Sequence, residues 1–245
     1  MQNDYDRIFL LSHMRAFTSL AGHILGSHPH INGYFEMHIS YEDRASLDRQ
    51  RSMLEDVEGL KPGSRHIFDK LLHNDYELHH ERIGLTGCKV LVSLLEPTQT
   101  IKSIVDLFMR KETEELYASP AAATAYYIER IRTLAEFCRG GSITYYYYDA
   151  EMFQAAPETL LPALTGWLEL DPPLSERYQV FSQTGMAGKG DSSKFIHSGK
   201  IDRTPMDYSH ITVAPELLDQ AEEAYRECRG EIITNARDTV LKHSA

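Results

Sequence analysis

Short apolar runs alternate along this chain with longer segments in which apolar residues recur at helical spacing. Runs of the first kind are typical of buried strands, and segments of the second kind are typical of amphipathic helices. Strands are therefore expected at 8–11, 66–74, 89–95 and 142–148, and helices from Thr18 onward and at 44–58, 77–83, 97–108, 120–138, 157–170 and 215–242. This alternation predicts an α/β fold, with a central parallel sheet flanked by helices on both faces.

Three segments show neither a continuous apolar run nor helical spacing of apolar residues, and they are expected to be irregular. We interpret 31–41 as a loop across the mouth of the sheet and 61–64, which contains Pro62 and Gly63, as a turn. The segment 185–200 is rich in glycine and lysine and is expected to be a surface loop.

The first strand, loop and helix carry residues that suit an anion. Arg15, Thr18 and Ser19 lie between the apolar run 8–11 and the body of the helix. Unpaired N–H groups at a helix N-terminus point at an anion, and the macrodipole favours its charge. Arg15 adds charge-assisted hydrogen bonds. Many α/β proteins begin in the same way and bind nothing there, so a loop without a ligand remains an equal alternative on these residues alone.

Composition and charge narrow the class of protein. The 245 residues, 42% of them apolar, suit one soluble globular domain over 1–245. The net charge of −11 argues against a nucleic-acid partner, because nucleic-acid-binding proteins are basic. Three cysteines without metal or redox spacing indicate reduced thiols. The acidic N-terminus is unlike a signal peptide, and no apolar stretch reaches the roughly 18 residues of a membrane span, so a cytoplasmic location is expected.

The anion loop resembles a loop of a known enzyme family. The residues Arg15-Ala16-Phe17-Thr18-Ser19 are similar to the 5′-phosphosulfate loop of sulfotransferases that use PAPS (3′-phosphoadenylyl sulfate), written as a cation followed by S-G-[ST]-[ST]. The cation and both hydroxyls are kept, and Phe17 replaces the usual glycine. The stretch 26–36, which ends in Glu36, also resembles this family. The resemblance is to the bacterial-type sulfotransferase domain, and it implies a P-loop-like sulfotransferase fold.

A second similarity lies at the end of the strand predicted at 89–95. The family commonly ends this strand in arginine, follows it with x-Pro, and places a serine eight positions after the arginine to hold the 3′-phosphate of PAPS. Pro97 and Ser103 match, but Leu95 stands where the arginine is expected. Leu95 cannot replace a guanidinium. Three alternatives follow from this difference. Another cation binds the 3′-phosphate, the protein binds PAPS weakly, or it has lost the function. A solvated helix serine is the alternative for Ser103.

A third similarity covers 185–201, where a G-x-G-D segment precedes S-G-K-I in bacterial members of the family. Glycines allow backbone N–H groups to form a concave anion site. Lys189, Gly190 and Lys200 are candidates for holding the 3′-phosphate, and either lysine would supply the cation missing at position 95. A glycine-rich loop without a ligand is the alternative.

Three residues are candidates for the chemical step. Glu36 is expected to be the general base, and His38 is the rival base, because transfer to a hydroxyl needs a proton acceptor. Lys70 is expected to stabilise charge on the bridging oxygen. The alternative for Glu36 is a solvent-exposed loop glutamate or a structural ion pair. The alternative for Lys70 is a surface lysine. His13 lies within the anion loop and is equally compatible with a structural role.

These observations predict a single sulfotransferase-like domain that transfers a sulfuryl group from PAPS to a hydroxyl and releases PAP. The acceptor is a small molecule, a carbohydrate or a lipid, which the sequence does not identify. Alternatives are an impaired binding protein of the same fold and a nucleotide-dependent phosphoryl transferase. The second is disfavoured because the Walker A motif is absent. No metal site is expected, because the histidines lack ligand spacing. A homo-oligomer is left open.

Overall fold

The computed structural model of the protein describes residues 5–83, 87–111, 116–140, 143–186 and 194–242. Six strands form one sheet there: β1 (Asp6–Leu11), β2 (Ile31–Asn32), β3 (His66–Leu71), β4 (Cys88–Leu94), β5 (Tyr145–Asp149) and β6 (Asp238–Val240). Their order across the sheet is β2-β3-β1-β4-β5-β6, and each neighbouring pair is parallel. The predicted parallel sheet is therefore confirmed.

The helices of the described residues cover both faces of this sheet. They are α1 (Thr18–Ser27), α2 (Arg44–Val57), α3 (His80–Ile83), α4 (Pro97–Met109), α5 (Pro120–Arg139), α6 (Met152–Ala155), α7 (Pro157–Leu168) and α8 (Pro215–Asn235), and a 3₁₀ helix covers Lys194–Ser198. Among these helices, none has the length together with the apolar character that crossing a lipid bilayer requires.

Side-chain alternation along the central strand divides the core into two layers. Phe9 and Leu11 pack with apolar residues of α4, α5 and α8, whereas Ile8 and Leu10 pack with those of α1 and α7 on the other face. All four side chains are buried, as expected for a parallel strand covered on both faces. The predicted α/β class, with helices on both faces, is confirmed.

The direction of the chain across the sheet reverses between β1 and β4. From β1 the chain passes to the edge strand β2 and returns to β3, which lies between them, whereas from β4 it passes outward to β5 and β6 on the other side. The loops that follow β1 and β4 therefore diverge at the carboxyl edge of the sheet. Open α/β sheets bind ligands in the crevice at such a switch point.

Three element predictions need correction. The segment 31–41, predicted to be a loop, begins with the short strand β2, which pairs with β3. The predicted helix 215–242 is wrong beyond Asn235, because Asp238–Val240 turns back and pairs with the edge of β5. Thr239 and Val240 are β-branched, which favours an extended backbone. The predicted helix 77–83 is reduced to α3, because Leu78 forms an isolated parallel bridge with Tyr41. The remaining predicted helices and strands are present, with bounds that differ by a few residues.

Candidate active site

A cavity of about 350 Å³ opens at the switch point, between the loops that follow β1 and β4. The candidate donor-binding residues Arg15, Thr18, Ser19 and Ser103 all line it. Its apolar wall is formed by Phe17, Leu20, Leu95, Tyr178, Phe195, Ile196, Pro205 and Met206. The remaining lining residues are Glu96, Gln99, Glu151, Gln154, Asp202, Thr204, Tyr208 and Lys242.

The loop between β1 and α1 has a backbone conformation that favours glycine, although it contains no glycine. Arg15 has φ 64° and Phe17 has φ 54°, both in the left-handed region. Phe17 stands where the resembled family has glycine, and it adopts the positive φ that glycine permits. Because Phe17 is not glycine, its left-handed conformation is strained.

The N-terminus of α1 is open to an anion. Phe17 occupies the N-cap position and makes no side-chain cap hydrogen bond within the described part of the chain. The first residues of the helix, Thr18, Ser19 and Leu20, line the cavity. Backbone N–H groups of a first helical turn have no intrahelical partner, and they carry the positive end of the helix dipole. Phosphate or sulfate is a suitable ligand for such groups.

Lys70 brings a buried cation to this loop. It is 1% exposed, and its Nζ donates to Ser19 Oγ over 3.2 Å. The alternation of β3 places Phe68 and Lys70 on the face that packs against α1. Lys70 is therefore not a surface lysine, and its ammonium group lies beside a hydroxyl that lines the cavity.

Arg15 extends from the loop after β1 to α4, where it contacts Ser103. Its Nε donates to Ser103 Oγ over 2.8 Å, and Ser103 Oγ lies 2.8 Å from the hydroxyl oxygen of Tyr208. Ser103 is 6% exposed and is not a solvated helix serine. Sequence reasoning missed Tyr208, which belongs to an irregular segment without periodicity and is placed only by the fold.

Leu95 is an apolar residue at the end of β4, and it packs against Ala16 and Ala150. Its N–H donates to His13 Nε2 over 3.0 Å, while His13 Nδ1 lies 2.8 Å from the carbonyl of Met14. Burial lowers the pKa of His13 to about 4, so the ring is neutral at neutral pH, with its proton on Nδ1. His13 therefore joins the loop after β1 to the end of β4, and its role in this structure is structural.

The N-terminus of α4 differs from that of α1 because it is already occupied. The side chain of Glu96 accepts hydrogen bonds from the N–H groups of Thr98 and Gln99, each over 2.9 Å. A carboxylate at this position satisfies the donors that an anion would need. Glu96 also lines the cavity. A ligand near the N-terminus of α4 therefore meets the negative charge of this carboxylate and not the N–H groups that it binds.

A lysine from the end of the described chain also lines the cavity. Strand β6 leads to Lys242, whose Nζ lies 3.7 Å from Glu151 Oε1. Burial, together with the nearby carboxylates of Asp149 and Glu96, raises the pKa of Glu151. Sequence reasoning missed Lys242 because the predicted C-terminal helix would have carried it away from the sheet.

The two candidate bases lie together, but outside the residues that line this cavity. Glu36 is buried, its Oε1 has no hydrogen-bond partner among the described residues, and His38 Nδ1 is 3.9 Å from that oxygen. His38 has φ 56°, and its side chain is 40% exposed. Glu36 is therefore not a solvent-exposed loop glutamate.

Asp69 fixes the loop that carries Glu36 to the end of β3. Its Oδ1 accepts from the N–H of Met37 over 3.1 Å, and its Oδ2 accepts from the hydroxyl of Tyr41 over 2.6 Å. Burial raises the pKa of Asp69 to about 7, and the negative charge of Glu36 contributes to the rise. Glu36 and Lys70 are thus carried by neighbouring segments at the same edge of the sheet.

The remaining candidates are placed as follows. Ala16 is buried against Leu95. Lys200 is exposed and forms an isolated antiparallel bridge with Arg177, away from the lining of the cavity. Lys189 and Gly190 lie outside the described residues. Their assignment to the donor remains a prediction.

Comparison with known proteins relates this chain to sulfotransferase structures. No family model and no curated protein sequence matches it. The sulfotransferase domain from the curacin biosynthetic pathway superposes with a TM-score of 0.62 at 14% identity, covering 93% of this chain and 99% of that domain. The sulfotransferase domain from the Synechococcus PCC 7002 olefin synthase gives 0.58 at 17% identity, covering 92% and 96%. Likeness at these identities shows a shared fold, so the predicted sulfotransferase-type fold is confirmed.

Proposed function

We propose that this protein is a sulfotransferase that moves a sulfuryl group from PAPS to a hydroxyl of a small-molecule, carbohydrate or lipid acceptor and releases PAP. One observation carries the proposal. Candidate donor-binding residues from two distant parts of the sequence, Arg15 and Ser19 after β1 and Ser103 on α4, converge on one cavity at the switch point of the sheet. Fold alone does not decide function, so the proposal depends on this convergence.

The residues of the cavity suit such a donor. The open N-terminus of α1, the Ser19 hydroxyl and the Lys70 ammonium favour a phosphosulfate group. The apolar wall, which includes Phe17 and Phe195, suits the flat surface of a nucleobase. The volume of the cavity is in the range of small-molecule sites.

The proposed reaction breaks one bond to sulfur and forms another. The acceptor oxygen bonds to the sulfur, the bond between sulfur and the 5′-phosphate oxygen of PAPS breaks, and that oxygen keeps the electron pair in PAP. Glu36 takes the proton of the acceptor hydroxyl. A buried carboxylate oxygen without a hydrogen-bond partner within the described chain, as at Glu36 Oε1, suits this role. Lys70 offsets the charge that develops on the leaving oxygen.

An impaired binding protein of the same fold is a second candidate, and Leu95 is the observation that favours it. A phosphoryl transferase is a third. Calorimetric titration with PAP, and with ATP in the presence and absence of Mg²⁺, separates the third from the others. We expect PAP to bind with one-to-one stoichiometry and ATP to bind at least about tenfold more weakly, with or without Mg²⁺.

A matched pair of variants sharpens this titration. Arg15→Ala removes a guanidinium from the cavity, whereas Arg51→Ala removes one from an exposed pair with Glu55 on α2. We expect only Arg15→Ala to weaken PAP binding. No heat and no thermal stabilisation with PAP up to millimolar concentration would contradict the proposal, because a ligand of the native state raises the melting temperature.

A further inference from the structure

The candidate cavity presents two separate groups of anion-binding residues. The first is the N-terminus of α1 with Ser19 and Lys70, on the side of β3. The second lies across the switch point, where Ser103 of α4 joins Arg15, from the loop after β1, to Tyr208, from the segment before α8, in a chain of hydrogen bonds. A ligand that fills the cavity meets donor groups at both places.

We infer that Arg15, held by Ser103 and Tyr208, binds the phosphate on the ribose of the donor and not its phosphosulfate end. This inference rests on the proposed function, because it takes PAPS as the donor. It departs from the resemblance, in which the cation of this loop serves the phosphosulfate end and the late loop was expected to supply the missing cation. Ser19 and Lys70 then serve the reacting end, and Tyr208 is a positioning residue that acts through Ser103.

The charges around α4 explain why a cation is needed on that side. Glu96 occupies the α4 N-terminus, so the N–H groups it binds are not available to a phosphate. Among the described residues that line the cavity, the cations are Arg15 and Lys242, and Lys242 lies beside Glu151. Because Arg15 Nε donates to Ser103 Oγ, Arg15 is the cation that would lie next to a phosphate bound at Ser103.

The surroundings of Leu95 fit the same assignment. Leu95 is 7% exposed and packs against Ala16, the neighbour of Arg15. A guanidinium at position 95 would enter an apolar cluster beside a second guanidinium, and burial of an unpaired charge is unfavourable. With Arg15 bonded to Ser103, a leucine at position 95 leaves Arg15 as the guanidinium at this serine.

The backbone of Arg15 agrees with a fixed orientation of its side chain. Its φ of 64° is uncommon for a residue other than glycine, and such a conformation persists only where the surrounding structure determines it. The hydrogen bond from Nε to Ser103 Oγ is one of the contacts that determine it. A guanidinium fixed through Nε is preorganised, so binding a phosphate costs little further side-chain entropy.

Two ligands that differ only in the ribose phosphate test the inference by calorimetry. PAP carries phosphates at both ends of its ribose, whereas AMP lacks the 3′-phosphate. We expect Arg15→Ala to weaken PAP binding about 10- to 100-fold and AMP binding less than about threefold, since a charge-assisted hydrogen bond contributes roughly 1.5–3 kcal/mol. Tyr208→Phe should weaken PAP binding severalfold and leave AMP binding unchanged. Arg51→Ala, on α2 and outside the lining of the cavity, should change neither.

Phosphorus NMR of bound PAP gives a readout independent of affinity. The 3′-phosphate should titrate at lower pH in the wild-type complex than in free PAP, because a nearby cation favours the dianion. In Arg15→Ala, or in Arg15→Gln should the alanine variant not fold, that titration should return toward the free value while the 5′-phosphate keeps its bound behaviour. Equal losses for PAP and AMP, with both resonances shifted alike, would overturn the inference and leave the proposed function intact. Absence of PAP binding by the wild type would overturn both.

Discussion

Arg15 Nε donates to Ser103 Oγ over 2.8 Å, although the two residues lie 88 positions apart in the chain. The bond connects the loop after β1 to the helix after β4, across the point where the order of the sheet reverses. Each residue is a candidate for binding the donor on its sequence context alone. Their contact, with Tyr208 behind Ser103, forms the group that we propose binds the ribose phosphate of the donor.

Introducing the family arginine at position 95 should not improve donor binding. Leu95→Arg would place a second guanidinium among Ala16 and Ala150, near the one that Arg15 already supplies. We expect PAP binding to stay the same or weaken up to about tenfold, because two like charges would share one low-dielectric region. Calorimetry on the wild type and Leu95→Arg measures this. Tighter PAP binding by tenfold or more would show that the cavity lacks a cation.

The left-handed conformation of Phe17 should be detectable as a difference in the free energy of unfolding between two variants at this position. Phe17→Ala and Phe17→Gly both remove the ring, but only glycine accepts φ 54° without strain. We expect Phe17→Gly to be more stable than Phe17→Ala by about 1 kcal/mol in urea denaturation. Glycine usually has the lower stability of the two, because its unfolded chain has more freedom. An alanine variant of equal or higher stability would show that Phe17 is not strained.

Glu36 and His38 should differ in their importance for transfer. Glu36 is buried, whereas the side chain of His38 is 40% exposed. We expect Glu36→Gln to slow formation of PAP from PAPS about 100-fold in the presence of simple phenols and alcohols, and His38→Ala to slow it less than about fivefold. PAP binding should be unchanged in both variants. Equal rate losses would mean that the two residues act as a unit or that His38 is the base.

The buried His13 should make stability depend on pH. Its pKa is about 4 in the folded state, below the ordinary value of 6.5, so the unfolded chain takes up a proton between these values. The stabilisation is fully present above pH 6.5 and is lost as the pH falls toward 4, where the loss amounts to about 3 kcal/mol. His13→Gln, which does not titrate, should lack this component in urea denaturation at pH 7.5 and pH 4. The same pH dependence in both proteins would contradict the buried neutral ring.

Much of the fold follows from local pattern, because buried parallel strands are apolar runs and amphipathic helices have a fixed period. The strand from Asp238 to Val240 was missed, because three residues at a sheet edge give too little periodicity to outweigh the charged helix before them. Local pattern also cannot say that Asp69 holds the loop of Glu36 and thereby buries its carboxylate. Contacts between distant segments decide that.

The site shows the same division. The motif letters identify Arg15 and Ser103, but not their mutual hydrogen bond, since side-chain direction depends on the packing of β1 against β4. Tyr208 carries no periodic or motif signal. For Lys200, a glycine- and lysine-rich composition predicts an anion loop, and the fold places this lysine at an exposed position beside Arg177, so its assignment to the donor stays a prediction. Composition describes the chemistry available to a segment, and only the fold determines where that chemistry is used.

Lys70 provides the most direct test of whether this cavity activates the sulfuryl group of PAPS. Lys70→Met keeps much of the side-chain volume and removes the buried ammonium beside Ser19, while Lys89→Met removes a half-buried lysine that pairs with Glu169 and does not line the cavity. Conversion of PAPS to PAP is measured with enzyme in excess and a mixture of simple phenols and alcohols. We predict conversion by the wild type and Lys89→Met at equal rates, and at least about 100-fold slower conversion by Lys70→Met. Conversion by the wild type that is no faster than by Lys70→Met would contradict the account.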